Sequence, residues 1–211
     1  MYYQNLNNFI IKDVLTKEYV DYIYKLVEET PTENQQVVKN LGHTVYHYHG
    51  EFDQNFKNHI LSKIQPFFTE TLLISEMSFS RYSHKSGYVP KLFPHYDGFS
   101  ESRITFDIQL KSNIDWPLVV EGKEFLLNNN EALVFSGTDQ IHWRKNIDLP
   151  ENVVIDMFFV HLKIKERDFL ISNEDKQNRE DRCNEYVNSI NISRDAIEYG
   201  EYDGKNNTRN D

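Results

Sequence analysis

A chain of 211 residues has room for one domain with a sizeable core and is marginal for two. Fourteen Phe, thirteen Tyr and a hydrophobic share of 39% exclude global disorder. A formal net charge of −10 offers no Lys/Arg footprint for a nucleic-acid backbone, so a nucleic-acid partner is not expected.

Residues 1–8 carry neither the basic start nor the apolar run of a signal peptide, and no apolar stretch approaches a membrane span. The one cysteine, Cys183, allows no intramolecular disulfide and no cysteine-built zinc site, which suits a reducing compartment. The expectation is a soluble cytoplasmic protein.

Asp13 to Val27 places apolar residues at helical spacing, with Thr16 as N-cap and Pro31 just beyond the stop. Gly42 to Gly50 is aromatic and β-branched and predicts a strand. A second helix is predicted from near Phe52 to Gln65, with Phe56, Ile60 and Ile64 on one face. The texture then changes to strands. Leu72 to Tyr82 is one. Arg103 to Lys111 alternates, with Ile104, Phe106, Ile108 and Leu110 on one side and Arg103, Thr105, Asp107, Gln109 and Lys111 on the other. Pro117–Glu121 and Glu124–Leu127 flank a Gly122-Lys123 turn and read as a hairpin. Glu131–Phe135 and Val153–Leu162 complete the set, and Glu180–Ile197 could form one more helix. Helices first and short strands after them predict a mainly β, α+β architecture: a jelly roll buttressed by N-terminal helices. The expected organisation is a domain over 1–163, with helical support over 1–70 and a jelly-roll core over 71–163. A polar helical extension over 164–199 and a flexible tail over 200–211 would follow.

Eight histidines raise the question of metal. His43, His47 and His49 alternate along one strand and fit a half-exposed strand better than a site. His59 reads as surface, His84 as loop, and His161 as a satisfied structural side chain. His95-Tyr96-Asp97 differs from these. Residues two apart on an extended segment point the same way, so an imidazole and a carboxylate can grip one cation together. With one distant His, such as His142, they would make a two-His-one-carboxylate facial triad, which leaves coordination positions open. His-x-Asp alone is common by chance, and its surroundings decide the case.

Three stretches carry a resemblance. Phe79-Ser80-Arg81-Tyr82, a loop containing Gly87, and Pro94-His95-Tyr96-Asp97 form the first. Arg103-Ile104-Thr105-Phe106-Asp107-Ile108-Gln109-Leu110 is the second. Glu131-Ala132-Leu133-Val134-Phe135-Ser136-Gly137-Thr138-Asp139-Gln140-Ile141-His142 is the third, and Asp97 and His142 stand roughly 45 residues apart. Between about Ser78 and His161 the chain resembles the Fe(II)/2-oxoglutarate dioxygenase superfamily, in particular its compact prolyl-hydroxylase-like members.

That resemblance implies a double-stranded β-helix, a cupin-like jelly roll, with Fe(II) held by His95, Asp97 and His142 and with 2-oxoglutarate and O2 as cosubstrates. It implies oxidative decarboxylation of 2-oxoglutarate coupled to hydroxylation of a small molecule or of an amino-acid or peptidyl side chain. Asp97 points to hydroxylation, because halogenating relatives carry a small residue there. The distal carboxylate of 2-oxoglutarate needs a cation. Many relatives place a base about ten residues past the distal His, but Pro150–Val154 contains none. Arg144 is the first choice, since two residues after His142 it faces the same interior. Arg103 and Lys111 are the alternatives, and Tyr82 is a further candidate contact. Trp143 should point away into packing, and Trp116 reads as packing or pocket mouth. Tyr88 and Lys91, in the Ser83–Phe93 loop, read as solvated. Two other classes stand beside the oxygenase: a non-catalytic jelly-roll binding module, and a cupin-like enzyme using another metal.

Overall fold

The computed structural model describes residues 3–38, 42–48, 50–84, 90, 92–98, 103–144, 150–165 and 172–189. The loop residues Gly87, Tyr88 and Lys91, the third strand histidine His49, the end of the predicted last helix beyond 189 and the tail over 200–211 lie outside them. The elements in chain order are β1 (Phe9–Ile11), α1 (Lys17–Glu29), β2 (Gln35–Val38), β3 (His43–Tyr46), α2 (Gln54–Ile64) and β4 (Leu72–Ser83). Then come β5 (Leu92–His95), β6 (Ile104–Ser112), β7 (Leu118–Val120), β8 (Lys123–Phe125), β9 (Glu131–Phe135), β10 (His142–Arg144), β11 (Val154–Ile164) and α3 (Asn173–Ser189).

The strands from β4 onward form a jelly roll. The larger sheet has the order β1-β9-β6-β11-β4-β3-β2 and the smaller β5-β10-β7-β8, every pairing antiparallel. From β4 to β11 the chain steps from one sheet to the other at each strand, except across the β7–β8 hairpin. That alternation is what makes a double-stranded β-helix.

Two helices cover the outer face of the larger sheet. Asp53 caps α2 by accepting from the Asn55 and Phe56 amides at 2.8 and 3.1 Å, a device worth about 1 kcal/mol. The four-residue spacing of Phe56, Ile60 and Ile64 lays all three, fully buried, against Ile104, Phe106, Ile108, Phe158 and Val160. α1 adds Ile23 and Val27 to this core. Its Tyr24 hydroxyl donates to buried Asp156 on β11, which also takes a two-pronged bond from Arg81 at 2.7 and 2.9 Å.

β6 runs between β9 and β11, so both of its edges are paired. Its apolar residues belong to the helix-side core, while Thr105, Asp107 and Gln109 are buried on the side facing the smaller sheet. The alternation read from the sequence therefore separates a hydrophobic exterior from a polar interior.

The hairpin turn is Glu121-Gly122, both with positive φ (48° and 77°), the geometry that matches the twist of the flanking strands. Glu121 tolerates it because its amide donates to the Ile141 carbonyl while its carboxylate accepts from the Ile141 amide at 2.8 Å and from Arg182.

α3 lies on the outer face of the smaller sheet. Cys183 packs with Val119, Ile141 and Trp143, and the Tyr186 ring sits 5.0 Å from that of Trp143. Arg179 reaches buried Asp139 at 2.7 Å. The helix begins earlier than predicted because the Ser172 hydroxyl caps it, accepting from the Asp175 amide at 3.0 Å and donating to Asp175 Oδ2 at 2.9 Å. No described helix is long and apolar enough to cross a membrane.

Candidate metal centre

β5 and β10 pair so that His95 and His142 stand directly opposite each other, ring centroids 4.1 Å apart. Asp97 follows two residues after His95, and its amide donates to the Gly137 carbonyl at 2.8 Å, which pins the segment against the turn before β10. Asp97 Oδ1 lies 3.4 Å from His142 Nε2 and 3.9 Å from His95 Nε2. One donor atom from each of the three residues falls within 4.8 Å of the others.

Neighbouring groups set the orientation of all three side chains. His95 Nδ1 is 2.7 Å from the Phe93 carbonyl and His142 Nδ1 is 3.2 Å from that of Gln140. A carbonyl only accepts, so each Nδ1 carries the hydrogen and each Nε2 keeps its lone pair for the centre. Thr105 Oγ1 donates to Asp97 Oδ2 at 3.1 Å and accepts from the Gly137 amide at 3.2 Å. That leaves Asp97 Oδ1 facing the imidazoles.

The donor set fits a divalent ion. Ligands at about 2.1 Å on one face of an octahedron stand about 3 Å from each other, which the observed spacings reach with a small contraction. Burial works against charge on Asp97, but the imidazole of His142, with His161 and His95, outweighs it and holds the carboxyl well below the usual carboxylate range. Burial, aided by His142, lowers His95 to about 4. It therefore offers a neutral ring at neutral pH.

From the triad a cavity of about 140 Å³ extends into the barrel. Arg144 and Tyr82 line it. The Arg144 guanidinium is buried, sits 5.0 Å over the Trp116 ring, donates to the Trp116 carbonyl and touches Met157 Sδ at 3.9 Å. No carboxylate pairs with it among the described residues. Burial lowers its pKa, while Tyr82 and Asp107 oppose the shift. Tyr82 packs edge-on to Trp116 at 5.6 Å, and burial raises its hydroxyl.

The structure places both alternative anchors away from the cavity. Arg103 faces buried Asp139 at 3.5 Å, outside the cavity wall, within a cluster that joins α3. Lys111 is exposed. A register shift between Asp156 and Met157 sets Lys111 opposite Asp156, a residue of the helix-facing side, so Lys111 leaves the interior face of β6.

His43 and His161, read as strand and structural histidines, both line the cavity. Burial, with His95 nearby, lowers His43 to about 4. Trp143 points outward to α3 as expected. The sequence does not single out Thr105, Asp107 and Gly137 as site residues. Thr105 and Asp107 stand on the interior side of the alternating strand, and that alternation was the available signal.

The strand order and the placement of the triad between the sheets define the fold of the 2OG-Fe(II) oxygenases. No family model and no curated protein sequence matches the chain. Among solved structures, it is similar to a 2OG-Fe(II) oxygenase family oxidoreductase from Burkholderia pseudomallei, at 11% identity and TM-score 0.55, covering 76% of this chain and 85% of that one. It is also similar to the viral collagen prolyl hydroxylase of Paramecium bursaria Chlorella virus-1 in its 2OG complex (12%, TM-score 0.50, 75% and 96% covered). A third is a Trichoplax adhaerens prolyl hydroxylase in complex with a hypoxia-inducible-factor peptide fragment (14%, TM-score 0.50, 75% and 85% covered). At these identities the likeness is one of fold.

Proposed function

We propose that this protein is a non-haem Fe(II)/2-oxoglutarate-dependent oxygenase that hydroxylates a small molecule or an amino-acid or peptidyl side chain. The observation that carries the reading is the His95–Asp97–His142 cluster, two Nε2 atoms and one carboxylate oxygen converging at the cavity, each oriented by its own hydrogen bond. Such a set holds one face of the ion and leaves the other open. When bound, iron with 2-oxoglutarate supplies O2 activation, one oxygen atom entering a substrate C–H bond and the other the succinate formed as CO2 leaves.

The chain's own contribution is ligation, orientation and a shielded cavity. Arg144 receives the distal carboxylate of 2-oxoglutarate. Its present partners are a carbonyl and a thioether, weaker acceptors than a carboxylate, so an arriving anion gains a charge-assisted bond in a buried site. Tyr82 forms part of the same wall. A peptidyl substrate is included because two of the structural neighbours are prolyl hydroxylases, one holding a peptide fragment.

Anaerobic Fe(II) titration with and without 2-oxoglutarate, followed by visible absorption, tests the reading. The expected result is a weak charge-transfer band that requires iron, 2-oxoglutarate and an intact His95. Iron binding with no such band would favour a cupin-like enzyme of another chemistry. Loss of both would favour a non-catalytic binding module.

A further inference from the structure

Asp107 is the carboxyl group of the cavity that ligation and the Arg144 anchor leave unused. It sits on the interior face of β6 between Thr105, which holds Asp97, and Gln109, whose amide donates to the Leu127 carbonyl at 2.7 Å. Its cross-strand neighbours are Phe159 on β11 and Leu133 on β9, and neither side chain can hydrogen-bond. The side chain lines the cavity and is 6% exposed, and its Oδ1 has no hydrogen-bond partner among the described residues. An unpaired buried polar atom of this kind costs about 1–3 kcal/mol, and is a sign of a missing partner.

Register places this carboxyl along the cavity. Thr105, opposite His161, marks the level of the triad; Gln109, opposite Met157, marks the level reached by the Arg144 guanidinium. Asp107 lies between them. A 2-oxo diacid ligated at one end and held by Arg144 at the other would pass directly beside it.

Charge balance selects its protonation state. A divalent ion, the Asp97 carboxylate, the Arg144 guanidinium and a 2-oxo dicarboxylate sum to zero. An ionised Asp107 would add an uncompensated negative charge beside a carboxylate in a buried site, which is strongly unfavourable. In the metal-free barrel, burial among apolar neighbours, with Asp97 adding to it, pushes Asp107 up to about 8, so the acid form is the resting one there at neutral pH.

We infer that Asp107, as a neutral carboxylic acid, donates a hydrogen bond to the distal carboxylate of a bound 2-oxo dicarboxylic acid, completing with Arg144 a cradle selective for the dianion. The inference rests on the 2-oxoglutarate reading above. The charged or titratable groups that share this cavity are Tyr82 from β4, Asp97 after β5, His142 and Arg144 from β10, His43 from β3 and His161 from β11. Asp107→Asn leaves all of them in place and keeps a donor that does not titrate.

The experiment is anaerobic calorimetry of 2-oxoglutarate, with pyruvate as the monoacid control, on Mn(II)-loaded wild type, Asp107→Asn and Asp107→Leu at pH 7 and pH 9. Wild-type affinity for 2-oxoglutarate is expected to fall about tenfold between the two, as the donor is titrated away. Asp107→Asn stays within about threefold of wild type at pH 7 and is flat with pH. Asp107→Leu loses about tenfold for 2-oxoglutarate and nothing for pyruvate, the value of one charged hydrogen bond. A pH-flat wild type, or an Asn variant as weak as Leu, overturns the role of Asp107 alone. A wild type that binds no 2-oxoglutarate at either pH overturns the cosubstrate reading and this inference together.

Discussion

Gly137 and Asp97 are in such close contact that no side chain fits between them. A Cβ on Gly137 would collide with Asp97 Oδ2 and stand 2.6 Å from its Cγ and 2.5 Å from Thr105 Oγ1. The glycine of the turn before His142 is thus the wall against which the carboxylate of His-x-Asp rests. Gly137→Ala must push Asp97 toward the imidazoles or away from them. The expected outcome is a loss of Fe(II) affinity of about a hundredfold with the far-UV circular dichroism unchanged, the range found when a ligand's support is removed. Undiminished affinity would mean that Asp97 does not ligate.

Thr105 holds the same carboxylate from the other side, through one hydroxyl that donates to Asp97 Oδ2 and accepts from the Gly137 amide. Valine keeps the shape and removes both bonds. Thr105→Val is expected to weaken Fe(II) binding about tenfold, and Thr105→Ser to restore most of it. A serine variant as weak as the valine would assign the effect to packing of the Thr105 methyl group.

Arg144 and Lys111 separate cleanly in a cosubstrate titration. Arg144 is buried in the cavity wall, whereas Lys111 is exposed on the far side of a register shift. Arg144→Gln should weaken 2-oxoglutarate about a hundredfold while Fe(II) binding holds, because a charged buried bond is replaced by a neutral one. Lys111→Ala should change neither. The reverse pattern would move the anchor to Lys111.

The contrast between those two bases marks where sequence reading stops. Strict alternation over Arg103 to Lys111 identifies an interior face correctly as far as Gln109, and the His95-x-Asp97 spacing reads directly as two side chains on one side of an extended segment. Alternation cannot register the bulge that turns Lys111 outward, because Leu110 becomes an extra residue of β6 only once β11 steps from Asp156 to Met157 across Lys111 and Gln109. Arg103 has the right periodicity but is claimed by Asp139, a residue far along the chain that only folding brings near. His43 looks like one of three strand histidines until β3 pairs with β4 beside the cavity. The three-residue β1 and four-residue β2 are too short for any pattern and exist through pairing with β9 and β3. The true start of α3, by contrast, is legible in Ser172, an N-cap residue whose hydroxyl accepts from the Asp175 amide.

Asp139 carries a structural prediction. Fully buried, it accepts from Arg179 of α3 at 2.7 Å, from the Tyr3 amide at 3.0 Å and more weakly from Arg103 at 3.5 Å. It joins the N-terminal segment, β6 and α3 at one point. Asp139→Ala leaves two buried guanidinium groups without their shared anion, which costs about 3–5 kcal/mol. Urea unfolding should show a loss of that size, and limited proteolysis should release α3 first. A loss below about 1 kcal/mol would show that the arginines find other partners.

Asp107 gives the stability of the metal-free protein an unusual pH dependence. Its carboxyl titrates near 8 in the fold, raised by burial and then by Asp97, against 3.8 for a free side chain. Between those values the unfolded chain has released the proton and the folded protein still holds it, so folding must take the proton up again. The contribution of Asp107 is therefore most favourable below about pH 4, is lost progressively as pH rises, and levels off above about pH 8. Asp107→Asn removes the dependence, so the variant should be the more stable protein at neutral pH. At about 1.4 kcal/mol per unit the raw shift overstates the gain, because the cavity admits water; we expect on the order of 2 kcal/mol at pH 7, or about 4–8 °C in Tm. The difference should shrink toward zero near pH 4, where other carboxylates destabilise both proteins alike. Differential scanning calorimetry of the two metal-free proteins at pH 4, 6 and 7 reads this directly. Equal melting temperatures at pH 7 would mean that Asp107 has a partner in solution. A higher one in the variant would identify a carboxyl that destabilises the empty barrel and that a dianionic ligand can use.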